Sequence, residues 1–310
     1  MGMKIVVTGA TGYIGSALVP VLQARGDHVI VLSRSAERAR ARLGAQITAV
    51  TADLETPGPW RDSLAGAHAI VHLAGESVGA KRWNAREKQI VRDSRVEATR
   101  TLVEAIGALP AEQRPRVLVS ASGGDYYPFA LDKDDFDDDE VTEADPAGDS
   151  FLARVCRDWE KEANAATAHG VRVVCMRTGI VLGAGGGALD KLTTPFKLFV
   201  GGRIGSGRQW FSWIHRDDAV AAYAAATTDE RYIGPINLVT DSVRNADLAS
   251  TLGKVLHRPS WLPVPAFAVK LAAGEFAEYV LKGRRIVPNK LRALGFSWKH
   301  TALLDALTAA

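Results

Sequence analysis

Residues 5–15 read Ile5-Val6-Val7-Thr8-Gly9-Ala10-Thr11-Gly12-Tyr13-Ile14-Gly15, and this stretch decides the fold. It begins with four β-branched residues, continues with three glycines spaced three apart, and is followed by helical periodicity up to Gly26. This order predicts a strand, a tight turn and a helix. In such a turn Gly9 allows the sharp bend, Gly12 lets backbone N–H groups reach a pyrophosphate, and Gly15 lets the helix lie close to the sheet.

Glycine-rich turns without a function are common, so the rest of the chain has to support this interpretation. Short apolar runs recur along the sequence, separated by stretches too long for hairpins. The strands predicted from these runs are residues 28–33, 47–51, 69–73, 116–122 and 171–177. The alternation favours an α/β fold, a Rossmann-type doubly wound parallel sheet with a small, mainly helical C-terminal substrate lobe.

The residue after the second predicted strand indicates which dinucleotide would bind. Arg34 stands there, and no acidic residue occurs between residues 28 and 36. At this point of a dinucleotide fold an acidic side chain bonds the 2′-hydroxyl of NAD, whereas an Arg accommodates the 2′-phosphate of NADP. Ser33 and Ser35 are further donors, and Arg38 follows one helical turn later. The sequence therefore predicts NADP(H), the alternative being a solvated Arg34 on a loop.

Small and polar residues end the other predicted strands at the same sheet edge. Asp53 follows the third strand, where its carboxylate could accept from the adenine amino group, and Ala74 and Gly75 form a small turn after the fourth. The predicted cofactor-binding residues are Gly9, Thr11, Gly12, Tyr13, Ile14, Gly15, Ser33, Arg34, Ser35, Asp53, Leu54, Leu73, Ala74, Gly75, Ser120 and Arg177. We expect a NADP-binding Rossmann domain over 1–183 that returns in part at 208–240, and a substrate lobe over 184–310 with a helical segment at 245–310.

Composition argues against several other classes of protein. A net charge of +3 over 310 residues, with scattered basic residues, gives no support for binding nucleic acid or an anionic membrane. Two cysteines make no disulfide framework, and Cys175 lies in an apolar run where a buried thiol is expected. Without a leader-like or membrane-spanning stretch the expected location is cytoplasmic, and the expected partners are a small-molecule substrate and, by default, a second copy in a homodimer.

The second half of the chain gives weaker signals. Residues 132–149 carry ten acidic residues, which predicts a loop with solvated charges, a lid being the alternative; calcium-loop spacing is absent, so no metal site is predicted. Asp217 is expected to cap a helix over 219–227. Residues 213–215 and the glycines at 201–207 are expected at the substrate end of the cleft. Helices are also predicted at 84–108, 151–168, 188–200, 245–256, 266–281 and 288–294, the helix at 188–200 following a flexible loop at Gly185-Gly186-Gly187.

Taken together, the glycine turn, Arg34, Asp53, Ala74-Gly75 and Ser120-Ala121-Ser122 resemble the extended short-chain dehydrogenase/reductase superfamily. The chain is similar to an atypical, epimerase-like branch of unknown substrate, and the resemblance covers essentially the whole sequence. The motifs that suggest this branch are Ser94-Arg95, Tyr126-Tyr127, the helix at 151–160, Arg177-Thr178-Gly179, the block 209–218, and the tail from Val264-Pro265 through Pro288-Asn289-Lys290-Leu291 to Gly295-Phe296.

The resemblance implies a catalytic hydroxyl residue, a Tyr, and a Lys four residues after the Tyr. Ser122 matches the hydroxyl position, but counting back from Glu160 places Leu152 where the Tyr and Cys156 where the Lys is expected.

The predicted catalytic residues are therefore Ser122, Tyr126 and His215, although a His before a capping Asp is more often a packing residue. The predicted function is that of a NADP(H)-binding epimerase-like protein or reductase acting on a small polar molecule such as a nucleotide sugar, without the usual Tyr-x-x-x-Lys pair. The alternative is a non-catalytic NADP(H)-binding sensor or regulatory module.

Overall fold

The computed structural model describes residues 2–129 and 138–310. Its strands are β1 (Lys4–Thr8), β2 (His28–Ser33), β3 (Thr48–Thr51), β4 (Ala69–His72), β5 (Val117–Gly123), β6 (Glu140–Val141), β7 (Arg172–Thr178), β8 (Ile180–Leu182), β9 (Trp210–His215), β10 (Gly234–Leu238), β11 (Asp241–Arg244) and β12 (Arg285–Ile286). Its α-helices are α1 (Gly15–Ala24), α2 (Ala36–Leu43), α3 (Ala85–Asp93), α4 (Val96–Gly107), α5 (Phe151–Asn164), α6 (Ala188–Lys197), α7 (Arg216–Ala226), α8 (Asn245–Leu256), α9 (Ala266–Ala273), α10 (Ala277–Leu281), α11 (Asn289–Ala293) and α12 (Leu303–Thr308).

Seven strands form one parallel sheet in the order β10-β7-β5-β4-β1-β2-β3. Since the order reverses between β1 and β4, this is the doubly wound arrangement of dinucleotide-binding folds, and the predicted fold class is confirmed. The edge strand β10 was not predicted, because Gly234 and Pro235 at its start are typical turn residues. An edge strand tolerates a proline, because one side of the strand makes no ladder hydrogen bonds.

Apolar layers cover both faces of this sheet. Along β1, Ile5 and Val7 pack in the layer formed with α1 and α7, whereas Val6 packs in the layer formed with α4. The period of two in a strand puts alternate side chains on opposite faces, so an uninterrupted apolar run is buried on both. Cys175 is fully buried in the second layer, as expected.

The C-terminal region is largely helical, as predicted, and includes a small second sheet. Strand β9 lies between β8, which is parallel to it, and β11, which is antiparallel. Apolar residues of α6, α8 and α12 pack together on this sheet, among them Phe196, Leu248 and Leu307. Within residues 2–129 and 138–310, no helix is both long and apolar enough to cross a membrane.

Two predicted helices are interrupted. The predicted helix 84–108 is broken between α3 and α4, where the Ser94 hydroxyl donates to the Val91 carbonyl and accepts from the Glu76 N–H. A side chain that bonds the local backbone competes with the helical pattern. The predicted helix 266–281 ends at Gly274, whose φ of 61° suits glycine, and resumes as α10.

The predicted acidic loop is only partly a loop of solvated charges. Residues 132–137 lie outside the described residues, whereas β6 pairs in parallel with β12. Glu143 is buried, and its Oε1 accepts from the backbone N–H groups of Asn237 at 3.0 Å and Lys290 at 3.1 Å. The prediction of solvated charges is wrong for Glu143, whose carboxylate binds this segment to β10 and to the start of α11.

Candidate functional site

A groove of about 250 Å³ lies at the carboxyl ends of β1 to β4. This is the edge at which open α/β sheets bind ligands, next to the point where the strand order reverses. Ten of the predicted cofactor-binding residues line it: Gly9, Thr11, Gly12, Ser33, Arg34, Asp53, Leu54, Leu73, Ala74 and Gly75. The sequence therefore predicted most of the groove lining, although its residues come from the ends of four different strands.

The glycine turn has the shape that its sequence predicts. Gly9 has a φ of 65°, and a Cβ there would lie 2.5 Å from the backbone carbon of Leu73. A Cβ on Gly15 would lie 2.4 Å from the Gly9 carbonyl oxygen, so the first turn of α1 contacts the loop directly. Helix α1 thus begins against the glycine turn that lines the groove, and a helix N-terminus is a usual setting for a bound phosphate.

A buried histidine that sequence reasoning did not single out holds the floor of the groove. The Nδ1 atom of His72 lies 2.7 Å from the Thr8 hydroxyl and its Nε2 lies 2.9 Å from the Thr99 hydroxyl. Thr8 accepts from the Ala74 N–H, and Thr99 donates to the Arg95 carbonyl. These bonds fix the neutral tautomer, in which Nε2 donates to Thr99 and Nδ1 accepts from Thr8. Burial lowers the pKa of His72 to about 4, consistent with that state.

A cationic rim continues the groove beyond β2. Its residues are Thr11, Ser33, Arg34, Ser35, Arg38 and Arg42. Arg34 is 81% exposed and pairs with Glu76 at 2.7 Å, whereas no carboxylate of the described residues lies within 4.0 Å of the Arg38 or Arg42 guanidinium. The Ser35 hydroxyl accepts from the Arg38 N–H and so caps α2. Three arginines therefore line the pocket next to the end of β2, and Arg42 is one that the sequence reasoning missed.

Three other predicted cofactor residues lie away from the groove surface. The Tyr13 hydroxyl donates to the Gly183 carbonyl at 2.5 Å, and Ile14 immediately precedes α1 and packs on the apolar layer. Ser120 is buried, and its hydroxyl donates to the Ala121 carbonyl. Their contact with a cofactor stays a prediction.

Ser122 belongs to a buried polar network that joins β5, α5 and β7. Its hydroxyl donates to Glu160 Oε1 at 2.7 Å, and Arg177 binds both oxygens of the same carboxylate, at 2.8 and 2.9 Å. Arg177 also donates to the Tyr127 hydroxyl at 3.0 Å. All four residues are buried. The fork of a guanidinium matches the two oxygens of a carboxylate, so this network fixes the Ser122 hydroxyl in one orientation.

Tyr126 stands at the edge of the same network. Its ring centroid lies 3.4 Å from the Arg177 guanidinium carbon, and its ring is edge-on to that of Tyr127. Burial raises the pKa of Tyr127 to about 12, so that residue stays a neutral phenol. Two of the predicted catalytic residues, Ser122 and Tyr126, therefore lie around Arg177, which was predicted to bind the cofactor.

The start of α5 shows what replaces the missing Tyr and Lys. Leu152 and Cys156 are both buried, and burial together with Asp125 raises the pKa of the Cys156 thiol to about 12. Neither side chain can exchange a proton at neutral pH. The hydroxyl of Tyr279, which lies in α10 of the C-terminal region, accepts from the Leu152 N–H at 3.0 Å. A phenol thus lies at this helix end, brought from a part of the chain that no sequence pattern connects to it.

Two charged residues near α5, Asp125 and Arg95, were not among the predicted site residues. Desolvation raises the pKa of the Asp125 carboxyl to about 6 even though the residue as a whole is exposed, and the Arg95 guanidinium opposes this shift. Arg95 lies over the Trp159 ring at 5.3 Å, and it would contact a Cβ on Gly75. Perturbed carboxyl groups are typical of functional sites as well as of structural ion pairs.

His215 lies in a separate cluster. Its Nδ1 accepts from the Asp217 N–H at 3.1 Å, so His215, and not Asp217, caps α7. The Asp217 carboxylate binds the Lys299 ammonium at 2.9 Å, and the His300 ring lies 3.8 Å from that of His215. Burial and the neighbouring His300 lower the pKa of His215. Trp213 in the same strand is fully buried, which contradicts its expected position facing the substrate cleft.

Comparison with known proteins agrees with this geometry. Residues 5–237 match the model of the NAD dependent epimerase/dehydratase family, and residues 264–310 match a domain of unknown function, DUF1731. The chain is 41% identical over 315 residues to the chloroplastic SDR39U1 homolog of Arabidopsis thaliana, covering 99% of this chain and 86% of that protein. It is 35% identical over 307 residues to the epimerase family protein YfhF of Bacillus subtilis, covering 99% of this chain and 97% of YfhF.

Among solved structures, human SDR39U1 (isoform 2) with NADPH superposes with a TM-score of 0.80 at 33% identity, covering 99% of this chain and 98% of that one. The resemblance to an atypical extended short-chain dehydrogenase/reductase is thereby confirmed. The chain belongs to the NAD dependent epimerase/dehydratase family, among its SDR39U1-like epimerase family proteins.

Proposed function

We propose that this protein binds NADP(H) in the groove along β1 to β4, with the 2′-phosphate held by the cationic rim. The rim carries the proposal, because three guanidiniums, with one carboxylate partner among the described residues, form an electropositive site suited to an anionic ligand. The glycine turn and the start of α1 would hold the pyrophosphate, and Asp53 lies where the adenine is expected. The NADPH in the human relative supports this assignment.

We further propose that the protein is an epimerase-like enzyme or reductase acting on a small polar molecule such as a nucleotide sugar. The bound cofactor would supply hydride chemistry, and the protein would supply orientation and a proton path. Ser122, Tyr126 and His215 are the predicted proton-handling residues, and to these we add Tyr279. A neutral phenol at the N-terminus of α5 can donate a proton to a carbonyl oxygen without needing an adjacent Lys.

The experiment is a screen of carbonyl compounds and sugar nucleotides that follows NADPH absorbance. We expect turnover that falls about a hundredfold or more in Ser122→Ala or in Tyr279→Phe, the size typical of general acid–base residues. Leu152→Ala and Cys156→Ala serve as matched controls on the same helix end, and we expect them to keep the rate within about tenfold apart from packing losses. A rate unchanged by both Ser122→Ala and Tyr279→Phe would contradict the proposed proton path.

One observation favours the alternative of a non-catalytic NADP(H) sensor. Leu152 and Cys156 make the usual helix positions chemically inert. This alternative predicts no turnover with any tested compound, together with tight NADPH binding that changes protease cleavage within residues 132–149. Limited proteolysis with and without NADPH, run beside the absorbance screen, separates the two functions. A robust rate that is lost in Ser122→Ala would exclude the sensor.

A further inference from the structure

A cavity of about 580 Å³ lies in the C-terminal region, apart from the cofactor groove. It is enclosed by α6, α8, α9 and α10 and by residues 79–82. Its walls are mainly apolar, and they include Phe196, Leu248, Leu252, Val264, Val269 and Phe276. Its volume lies in the range of small-molecule pockets, about 300 to 1,000 Å³. A cavity of this size lined by hydrocarbon is suited to an apolar ligand.

The charged groups of the cavity are all cationic and lie together. They are Lys81, Arg82 and Lys191, and no acidic side chain of the described residues lines the cavity. The Lys191 ammonium donates to the Gly79 carbonyl, which brings α6 against residues 79–82. Lys81 pairs with Glu87, whereas within the described chain no carboxylate lies within 4.0 Å of Arg82 or Lys191. One end of an apolar cavity therefore carries uncompensated positive charge.

Helix α9 forms a thin outer wall. Apart from Lys270, its residues are all apolar, and none of them is buried. Ala268 and Ala272 line the cavity, whereas Phe267 and Leu271 are 73% and 74% exposed. A helix that is apolar all round is normally covered on all sides. The cavity-facing side of α9 is not fully packed either, since Ala268 is half-buried and Ala272 is exposed.

We propose that this cavity binds an amphiphile with an apolar body and a single anionic head group, the body contacting Ala268, Val269 and Leu252 and the head group binding Arg82 and Lys191. Head-group chemistry is set by the two cations, and a carboxylate, sulfate or phosphate monoester would satisfy them. This site goes beyond the proposed function, because it needs no hydride transfer and no residue of the cofactor groove. A negative result for this cavity would therefore not affect the proposal that the protein binds NADP(H).

The test is isothermal titration of the full-length protein with dodecanoate below its micellar concentration, with dodecanol as the uncharged probe. We expect one dodecanoate per chain and much weaker binding of dodecanol. Ala268→Trp fills the cavity from α9, and we expect it to lower the affinity for dodecanoate by about tenfold or more. Leu271→Trp places the same side chain on the outer face of α9 and should leave the affinity unchanged.

The role of the positive charge is tested with the double variant Arg82→Glu and Lys191→Glu. We expect its affinity for dodecanoate to fall about tenfold and its affinity for dodecanol to stay unchanged. Arg86→Glu, an exposed arginine on α3 outside the cavity, is the matched control. If Ala268→Trp fails to fold, the double variant Arg82→Glu and Lys191→Glu still tests the proposal.

Absence of dodecanoate binding, or equal binding of both probes that the charge reversals do not change, would overturn the proposal. It would also be overturned if Leu271→Trp, and not Ala268→Trp, removed binding while light scattering showed an altered oligomer, because α9 would then serve as an interface between copies.

Discussion

At the scale of single residues, the cofactor groove rests on a histidine that is kept neutral by its neighbours. The Thr8 hydroxyl accepts from the Ala74 N–H and donates to His72 Nδ1, because in the neutral ring the proton is on Nε2 and Nδ1 is an acceptor. On the other side, Thr99 donates to the Arg95 carbonyl and accepts from His72 Nε2. A protonated His72 would place two N–H groups against two hydroxyls arranged for only one. The position of β4 beside β1 at the groove therefore depends on the charge of this ring.

This gives a prediction for the pH dependence of folding. The pKa of His72 is about 4 in the folded state, below the ordinary value of 6.5, so the unfolded chain takes up a proton first as the pH falls. The contribution of His72 to the free energy of unfolding should be complete above pH 6.5 and should decrease by up to about 3 kcal/mol as the pH falls to 4. Urea unfolding at several pH values measures this loss. His72→Gln keeps a donor and an acceptor but does not titrate, and an equally steep loss in that variant would contradict the assignment.

At the scale of elements, the ion pair between Glu160 and Arg177 ties α5 to β7. Both side chains are almost fully buried, at 8% and 4% exposure. Taking two charges out of water is costly, and removing one partner leaves the other uncompensated. The same carboxylate orients Ser122, so the stability of this contact and the geometry of the site depend on one group.

We therefore predict that Glu160→Gln destabilises the protein by about 3 to 5 kcal/mol, the usual cost of breaking a buried pair. The matched control is Glu162→Gln on the same helix, where the partner Arg100 is exposed; an exposed pair contributes about 1 kcal/mol or less. Chemical denaturation of both variants at neutral pH gives the comparison. Similar losses in the two variants would show that burial of the pair has little energetic weight.

These elements also show how much of the structure could be predicted from the sequence. Buried parallel strands have long β-branched runs, and the glycine turn has its own spacing, so β1 to β5 and most of the groove could be predicted. The break at Ser94 and the cap at His215 could not, because each depends on one side chain bonding backbone in a way that tertiary contacts decide. Tyr279 and Glu143 reach their partners across 127 and 94 residues, and no local pattern carries that information.

At the scale of the whole molecule, residues 264–310 are joined to the sheet by several polar contacts. The Asp218 carboxylate accepts from the backbone N–H groups of Lys299 and His300, and Trp298 donates to the Val239 carbonyl. Leu291 is fully buried against the same apolar layer as α7. The C-terminal segment is thus part of the core that supports β10 and α7.

We predict that a chain ending at residue 263 does not keep the native stability. Loss of residues 264–310 would expose the apolar surface under Leu291 and would remove the Lys299 and His300 N–H groups from the buried Asp218 carboxylate, each a recognised cause of strong destabilisation. Thermal melting followed by circular dichroism should show a lower melting temperature or no cooperative transition. An unchanged transition in the shortened chain would mean that this segment is an independent appendage.

Binding of NADP(H) through the cationic rim is tested most directly by comparing NADPH and NADH binding by isothermal titration calorimetry at one ionic strength. We expect NADPH to bind at least about tenfold more tightly, because charge-assisted bonds from the cationic rim to the 2′-phosphate have no counterpart in NADH. Arg34→Asp should remove or reverse this preference, since it replaces one donor by a like charge. Equal affinities of the unmodified protein for NADPH and NADH would contradict the assignment of the cationic rim to the 2′-phosphate.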